Sequence, residues 1–283
     1  MLRNKLKDFW NAEKAEPWKE QGGEREEDRV LALRDDRPRG MVPGGGVVQC
    51  LTAGVDTQDN GFYYQVRAWG WGKELESWGV REGFIDTFTA LSSILWEETY
   101  QDAEGGEYYI RLVVQDAMGH RTSEVYDFAR TNRNRLLPYK GEGTGRSAGP
   151  PVAWSNLEYY PPDRKGRKRP IPGGLKLIRP DANYFKNMLA GKLEIAPLDP
   201  GAFHLHADTT DEYARHMCAE YVDEKKQVWV LPAGKANHYW DCEVMNFVAA
   251  DILRVKFKTQ ATGNDGVKTK GRRIINKGIR VDE

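Results

Sequence analysis

The chain has 283 residues, with 42 basic and 42 acidic side chains and a mean hydropathy of −0.70. This length suits one large domain or two small ones, and no apolar run is long enough to predict a transmembrane helix. Three widely spaced cysteines, Cys50, Cys218 and Cys242, argue against a disulfide framework or a zinc ribbon. The polar amino terminus predicts no secretory signal, so a reducing cytoplasm is the expected compartment.

The charge is segregated along the chain although it sums to zero. Residues 43–132 and 181–253 carry net charges of −8 and −6, whereas residues 133–180 and 254–283 carry +8 and +6. This alternation suits a protein that gathers carboxylates at one site and offers cations to a polyanion. An unevenly charged solvated surface is the alternative interpretation.

Three segments are predicted in chain order. Residues 1–46 are rich in charge, poor in apolar residues and closed by Gly44–Gly46, which predicts a linker. Residues 47–258 have the apolar patterning of a folded domain. Residues 259–283 are basic and too poor in apolar residues for a core of their own, so a flexible tail is expected.

Within the domain, three β-rich stretches in succession predict an antiparallel meander, at residues 47–55, 62–71 and 77–85. Further strands are predicted at 108–115, 175–178 and 227–231, and helices at 91–100, 122–130, 183–193, 211–218 and 238–257. Residues 138–174 are rich in proline, glycine and cations, which predicts a long loop that is either functional or disordered. This order of elements predicts an α/β fold with an RNase H-like mixed sheet flanked by helices.

Three aspartates lie at positions that an RNase H-like fold would bring to one edge of its sheet. Asp56 and Asp116 each end an apolar strand, and Asp241 lies in the first turn of the last long helix. The carboxyl ends of neighbouring parallel strands share one edge of a sheet, where active sites form. The small residues Ala53 and Gly54 before Asp56 predict space for a close-lying substrate backbone.

Such carboxylates could hold two Mg²⁺ or Mn²⁺ ions, since hard cations prefer oxygen donors. Two such ions can activate water and stabilise the leaving oxygen in phosphodiester hydrolysis. As alternatives, each aspartate could cap a helix or a turn. His204 and His206 lack a third zinc ligand, and His216 and His238 are interpreted as surface or capping residues.

A cluster of cations in the long loop predicts contact with DNA. It comprises Arg164, Lys165, Arg167, Lys168 and Arg169, and it follows three aromatic residues, Trp154, Tyr159 and Tyr160. Cations bind phosphates, and aromatic rings stack on exposed bases. A merely solvated basic run is the alternative.

At these positions the sequence resembles the carboxy-terminal half of lambda-type large terminase subunits of tailed bacteriophages. The resemblance spans most of residues 5–253 and is carried by residues 51–58, 67–72, 76–78, 116–126 and 237–243. Residues 6–11 and 16–18 resemble the link between that family's ATPase and its nuclease. No Walker motif is present in this sequence, so a nuclease domain or fragment is expected.

The resemblance implies a metal-dependent RNase H-like endonuclease that cuts concatemeric viral DNA during packaging. It implies metal binding by Asp56, Asp116 and Asp241. We interpret Asp56 as the bridge between two ions, Asp116 and Asp241 as each completing one, and His120 as an accessory residue that orients water or phosphate. Ala117 and Met118 depart from the glycine-rich residues that this family commonly has after its second aspartate.

Double-stranded DNA, the small terminase subunit and the portal of the procapsid are the implied partners, in the cytoplasm of the bacterial host, and the basic tail is the expected portal contact. Two other functions remain open. One is a junction resolvase or integrase-type enzyme, and the other is a non-catalytic DNA-binding and portal-docking module.

Overall fold

A mixed β-sheet organises the part of the chain that the computed structural model describes, which is residues 25–142, 149–223 and 225–260. The strands are β1 (Val48–Gln58), β2 (Gly61–Gly70), β3 (Ser77–Ile85), β4 (Tyr100–Gln101), β5 (Glu107–Tyr108), β6 (Ile110–Asp116), β7 (Leu136–Tyr139), β8 (Val152–Tyr159), β9 (Pro170–Pro180), β10 (Phe203–His204), β11 (Tyr221–Asp223) and β12 (Val228–Val230). Eight of them form one sheet in the order β10-β3-β2-β1-β6-β7-β9-β8.

Helices cover both faces of this sheet. They are α1 (Glu27–Leu31), α2 (Phe88–Ser92) with a π-helical turn after it (Ser93–Glu97), α3 (Thr122–Thr131), α4 (Ala182–Leu193), α5 (Asp211–Met217) and α6 (His238–Ile252), followed by a short 3-10 helix (Val255–Phe257). One apolar core joins the sheet to α4, α5 and α6, and a second joins it to α2 and α3. Within the described ranges, no helix is long and apolar enough to cross a membrane.

The strand directions are those expected of an RNase H-like sheet. Strands β1, β2 and β3 form the predicted antiparallel meander, and β6 and β7 continue the sheet in parallel with β1. Ten of the eleven residues of β1 are buried, because helices cover this strand on both faces. The predicted α/β architecture, a mixed RNase H-like sheet flanked by helices, is therefore confirmed.

Helix α6 packs directly on β1, and a glycine allows it. A Cβ atom added at Gly54 would lie 1.9 Å from the carbonyl oxygen of Cys242 in α6. The expectation that Gly54 leaves room for a substrate backbone is therefore wrong, since the helix backbone fills that room. The consequence for the site is that α6 lies close to the end of β1.

A buried ion pair also fixes α6 against the sheet. Arg67 on β2 donates from Nε and Nη2 to the two carboxylate oxygens of Glu243, at 2.6 and 2.7 Å, and both side chains are fully buried. The hydroxyl of Tyr213 donates to Glu243 Oε1 at 2.7 Å. A bidentate pair with a third donor is the geometry in which a buried carboxylate is well compensated.

Several predicted elements differ from the structure. The helix predicted at residues 91–100 begins earlier, at Phe88, and continues as a π-helical turn to Glu97, whereas Tyr100 begins β4. Residues 138–174 are not a long loop, because β8 and the first part of β9 form an antiparallel hairpin within them; residues 143–148 lie outside the described residues. The predicted last helix ends at Ile252, since Arg254 adopts a left-handed conformation (φ 55°) before the 3-10 turn.

The described part of the predicted linker packs against the domain. Val30, Leu33 and Val42 are buried in the two apolar cores, and the Arg37 guanidinium donates to the carbonyl of Gly79 at 3.3 Å. Residues 25–46 therefore share the domain's core, while a boundary at residue 46 stays a prediction. The tail beyond residue 260 lies outside the described residues.

Candidate metal centre

Two of the predicted aspartates lie side by side at one edge of the sheet. In the parallel β1–β6 pair, Val55 is opposite Gln115, so Asp56 and Asp116 follow at adjacent strand ends. The hydroxyl of Thr57 donates to the Asp116 carbonyl at 2.7 Å, which ties the two strand ends together. The sheet therefore places these two carboxylates at neighbouring strand ends, where they were predicted.

The side chain of Asp56 is held in one orientation by two donors. Gln58 Nε2 and His238 Nδ1 lie 2.7 and 2.8 Å from the same oxygen, Oδ2. His238 stacks on the ring of Tyr63, with centroids 4.4 Å apart and an interplanar angle of 17°. No described residue donates to Oδ1, so this oxygen is the one left to accept a ligand.

The third predicted aspartate is reached through helix α6. Asn237, just before this helix, donates from Nδ2 to Asp241 Oδ2 at 2.9 Å and to Glu220 Oε1 at 2.6 Å. The Lys186 ammonium lies 2.6 Å from both oxygens of Glu220 and 3.7 Å from Asp241 Oδ1. Asp241 thus has a second buried carboxylate and one ammonium as neighbours.

We call Asp56, Asp116, Glu220 and Asp241 the acidic edge, because their charges act on one another. Burial raises the pKa of Asp116 to about 8, and the carboxylates of Asp56 and Asp241 add to this effect. Burial also raises the pKa of Asp241 to about 7; Lys186 opposes this rise, and Glu220 and Asp56 add to it. The three predicted aspartates therefore lie within electrostatic reach of one another.

The donor set of the acidic edge suits a hard divalent cation, although it is not preassembled around one. Among the described residues, no group of three or more His, Cys, Asp or Glu side chains is arranged to hold a metal ion. The chemistry nevertheless fits, because a cation bound by Asp56 and Asp116 would favour the charged form of Asp116, whose pKa is raised by burial and then by the neighbouring carboxylates.

His120 contacts a different aspartate. Its side chain is 89% exposed, and Nδ1 lies 3.1 Å from Asp59 Oδ1 in the turn between β1 and β2. Asp116 Oδ2 instead accepts a hydrogen bond from the backbone N–H of Met118 at 3.3 Å. An accessory role for His120 stays a prediction.

The five predicted DNA-binding cations lie at the exposed tip of the β8–β9 hairpin, which we call the basic tip (residues 164–169). Arg167 donates to Asp163 at 2.9 Å, and Arg169 lies 4.0 Å over the ring of Tyr160. Tyr160 is buried, unlike Trp154 and Tyr159, so the expectation that all three aromatic rings could stack on bases is wrong for Tyr160.

An open cleft of about 590 Å³ connects the basic tip with the loop that follows Asp116. Gly119, His120 and Ser123 line one wall, and Lys168 and Arg169 contribute to the other. The cleft therefore places cations of the basic tip opposite the loop that follows Asp116.

Three residues of the site are not identified by the sequence patterns. His238 is interpreted from the sequence as a surface or capping residue, although its i, i+3 spacing to Asp241 on one helix is an available signal. Lys186 and Glu220 give no local signal, since 34 residues separate them in the chain and only the packing of α4 brings them together.

Comparison with known proteins places the chain among viral packaging proteins. It is 28% identical to "Terminase, large subunit" of Escherichia phage lambda over 268 residues, which is 88% of this chain and 39% of that protein. It is 32% identical to "Terminase, large subunit" of Enterobacteria phage P21 over 146 residues, or 49% of this chain and 22% of that protein. The chain thus spans well under half the length of these relatives.

No solved structure matches the chain significantly. The family model "Terminase large subunit gpA, endonuclease domain" matches residues 3–261, which is most of the sequence. The chain therefore belongs to the terminase large subunit gpA endonuclease domain family.

Proposed function

We propose that this protein is a metal-dependent DNA endonuclease that cuts concatemeric viral DNA during genome packaging. The observation that carries the proposal is the acidic edge, where strand ends and a helix start bring together Asp56, Asp116 and Asp241 in a chain of an endonuclease family. Burial and mutual repulsion raise the pKa of two of these carboxyls, which is typical of a site that binds cations or moves protons.

Two Mg²⁺ or Mn²⁺ ions, held by Asp56, Asp116 and Asp241, would supply an activated water and stabilise the leaving oxygen of the phosphodiester. The chain's own contribution is to orient these ligands. His238 and Gln58 fix Oδ2 of Asp56 and so direct Oδ1 toward a ligand. Asn237 holds Asp241 from the preceding turn.

Double-stranded DNA is the proposed substrate, and the basic tip is its proposed first contact. Arg167, Lys168 and Arg169 line the cleft opposite the loop that follows Asp116, and Arg164 and Lys165 are exposed beside them. A phosphate backbone bound there would be steered and held by charge, which requires no base sequence.

The proposed setting is the packaging motor in the cytoplasm of the infected bacterium. The small terminase subunit and the portal of the procapsid are the proposed partners, and residues 259–283 are the proposed portal contact. Truncation after Lys258 should leave plasmid cleavage intact, because all three aspartates precede it, and it should abolish portal binding in a complete large subunit.

The decisive experiment is cleavage of supercoiled plasmid with Mn²⁺ or Mg²⁺, compared with the same reaction in EDTA. We expect Asp56→Asn and Asp241→Asn to fold and to lose cleavage, because an amide keeps the shape of the carboxylate without its charge. Asp211→Asn is the matched control, since the Asp211 side chain is 75% exposed and pairs with Arg34 at 3.8 Å; it should cleave normally.

Normal cleavage by Asp56→Asn would refute the assignment of the site. Resolution of branched junctions, or strand joining instead of linear cuts, would favour the resolvase or integrase alternative. DNA retention without any metal-stimulated cleavage would favour a non-catalytic binding module.

A further inference from the structure

Lys186 is a half-buried ammonium that faces two carboxylates of the acidic edge. It extends from α4, its side chain is 15% exposed, and that of its partner Glu220 is 3% exposed. Nζ lies 2.6 Å from both oxygens of Glu220 and 3.7 Å from Asp241 Oδ1. A partly desolvated pair of this kind differs from a surface ion pair, which contributes little and adapts freely.

The surroundings of Lys186 also differ from those of Arg67, the fully buried cation on β2. The Arg67 guanidinium is matched to one carboxylate by two parallel hydrogen bonds. Lys186 is a compact charge shared unequally between Glu220 and Asp241. An ammonium on a flexible stem can leave such a position more easily than a planar fork can.

We propose that Lys186 is the resident cation on the Glu220–Asp241 side of the acidic edge and competes there with a divalent ion. This inference rests on the proposed function, since it concerns the ions which that function requires. The first divalent ion is then taken up by Asp56 and Asp116, and the second binds only as Lys186 withdraws from Asp241.

The physical reason is that an ammonium and a metal ion neutralise the same carboxylates. While Lys186 stays in place, the Glu220–Asp241 side has less negative charge to offer, and an arriving cation is repelled at short range. A neutral side chain at this position leaves both carboxylates uncompensated. The affinity for the second ion should then rise.

The test is Mn²⁺ binding to EDTA-treated protein, followed by titration calorimetry and by the electron paramagnetic resonance signal of free Mn²⁺. The wild type should bind about one ion tightly and a second weakly. Lys186→Met should bind the second ion at least about tenfold more tightly. Lys186→Arg should bind it more weakly than the wild type, because a planar guanidinium leaves the carboxylates less easily than an ammonium does. Lys192→Met is the matched control on the same helix, because Lys192 donates to the carbonyl of Gly201 rather than to a carboxylate.

The melting temperature gives a readout that does not depend on cleavage. Without metal, Lys186→Met should melt below the wild type, since the buried carboxylate of Glu220 keeps its hydrogen bond from Asn237 but loses the ammonium that balances its charge. Saturating Mn²⁺ should raise its melting temperature by more than it raises that of the wild type. If Lys186→Met does not fold, Lys186→Gln repeats the test, because its amide can still donate to Glu220.

Identical isotherms for the wild type and Lys186→Met (or Lys186→Gln) would overturn the inference while leaving the proposed function intact. Failure of the proposed function looks different, since the wild type itself would then bind no Mn²⁺ and leave plasmid DNA uncut. A gain in affinity that persists unchanged in Lys186→Met/Glu220→Gln would also overturn the inference, because the ion would not be using Glu220.

Discussion

Asp241 and Glu243 are two residues apart on helix α6, and their surroundings are opposite. Glu243 is fully buried and receives two hydrogen bonds from Arg67 and one from Tyr213. Asp241 faces other carboxylates, and one ammonium at 3.7 Å is its nearest cation. The charge of Glu243 is matched by that of Arg67, whereas Asp241 belongs to a group with more anions than cations. The fold thus neutralises the charge of Glu243 and leaves that of Asp241 among like charges.

The largest effect on stability is expected at Glu243. Glu243→Gln should lower the free energy of unfolding by about 3–5 kcal/mol, because it leaves the guanidinium of Arg67 buried without a counter-charge. Asp241→Asn should change this free energy by less than about 1 kcal/mol or raise it, since it removes one of several repelling charges. Urea unfolding in EDTA measures the free energy of unfolding of both variants. If both variants lost the same amount of unfolding free energy, the two carboxylates would have the same role.

The second prediction concerns the pH dependence of the metal-free protein. The pKa of Asp116 rises from 3.8 to about 8 on folding, so the folded state keeps a proton that the unfolded state has lost. This stabilising contribution is fully present below pH 3.8 and is lost as the pH rises through about 8. The free energy of unfolding in EDTA should therefore fall by on the order of 1–3 kcal/mol between about pH 5 and about pH 9.

Asp116→Asn provides the control for this effect, because an amide does not titrate. Its unfolding free energy should vary less with pH than that of the wild type, and saturating Mn²⁺ should weaken the dependence in the wild type as well. Parallel pH profiles for the two proteins would contradict the assignment of a raised pKa to Asp116.

The third prediction concerns His238, which acts on the acidic edge through Asp56. His238→Ala should weaken Mn²⁺ binding about 10- to 100-fold, the usual effect of removing a residue that orients a metal ligand. His238→Asn should retain most of the affinity, because its amide can donate to Asp56 from the position of Nδ1. His120→Ala is the control, since His120 is exposed and pairs with Asp59. Equal affinities for His238→Ala and the wild type would remove His238 from the site.

The parts of the site that the sequence could predict are those fixed by local patterns. Apolar strands that stop at Asp56 and Asp116 identify two of the carboxylates, and helical spacing after Asp241 identifies the third. Lys186 and Glu220 could not be found in this way, because only the packing of α4 brings them beside Asp241. The close approach of α6 to Gly54 is likewise a property of the fold, and it corrects the role expected for that glycine.

The β8–β9 hairpin shows why the loop predicted at residues 138–174 was wrong. Strand β9 contains Pro170, Pro172 and the consecutive glycines Gly173 and Gly174, residues that locally favour a loop. Both glycines adopt positive φ angles, and the register of the hairpin shifts near them. Pairing with β8 thus overrides local preference, and the irregularity that concealed the strand is accommodated as a bulge.

The smallest predicted effect concerns the exposed charges of the basic tip. Arg167 is already paired with Asp163 at 2.8 Å, whereas no ion pair within the described residues involves Arg164, Lys165 or Lys168. Replacing these three by alanine should reduce the slope of log affinity for DNA against log salt by roughly 0.9 for each phosphate that the variant no longer neutralises. Arg167→Ala alone should reduce it by less, because Asp163 already screens that charge, and all five replacements together should reduce it most. A slope that stays unchanged in the fivefold variant would mean that the tip is solvated surface and that DNA reaches the acidic edge by another path.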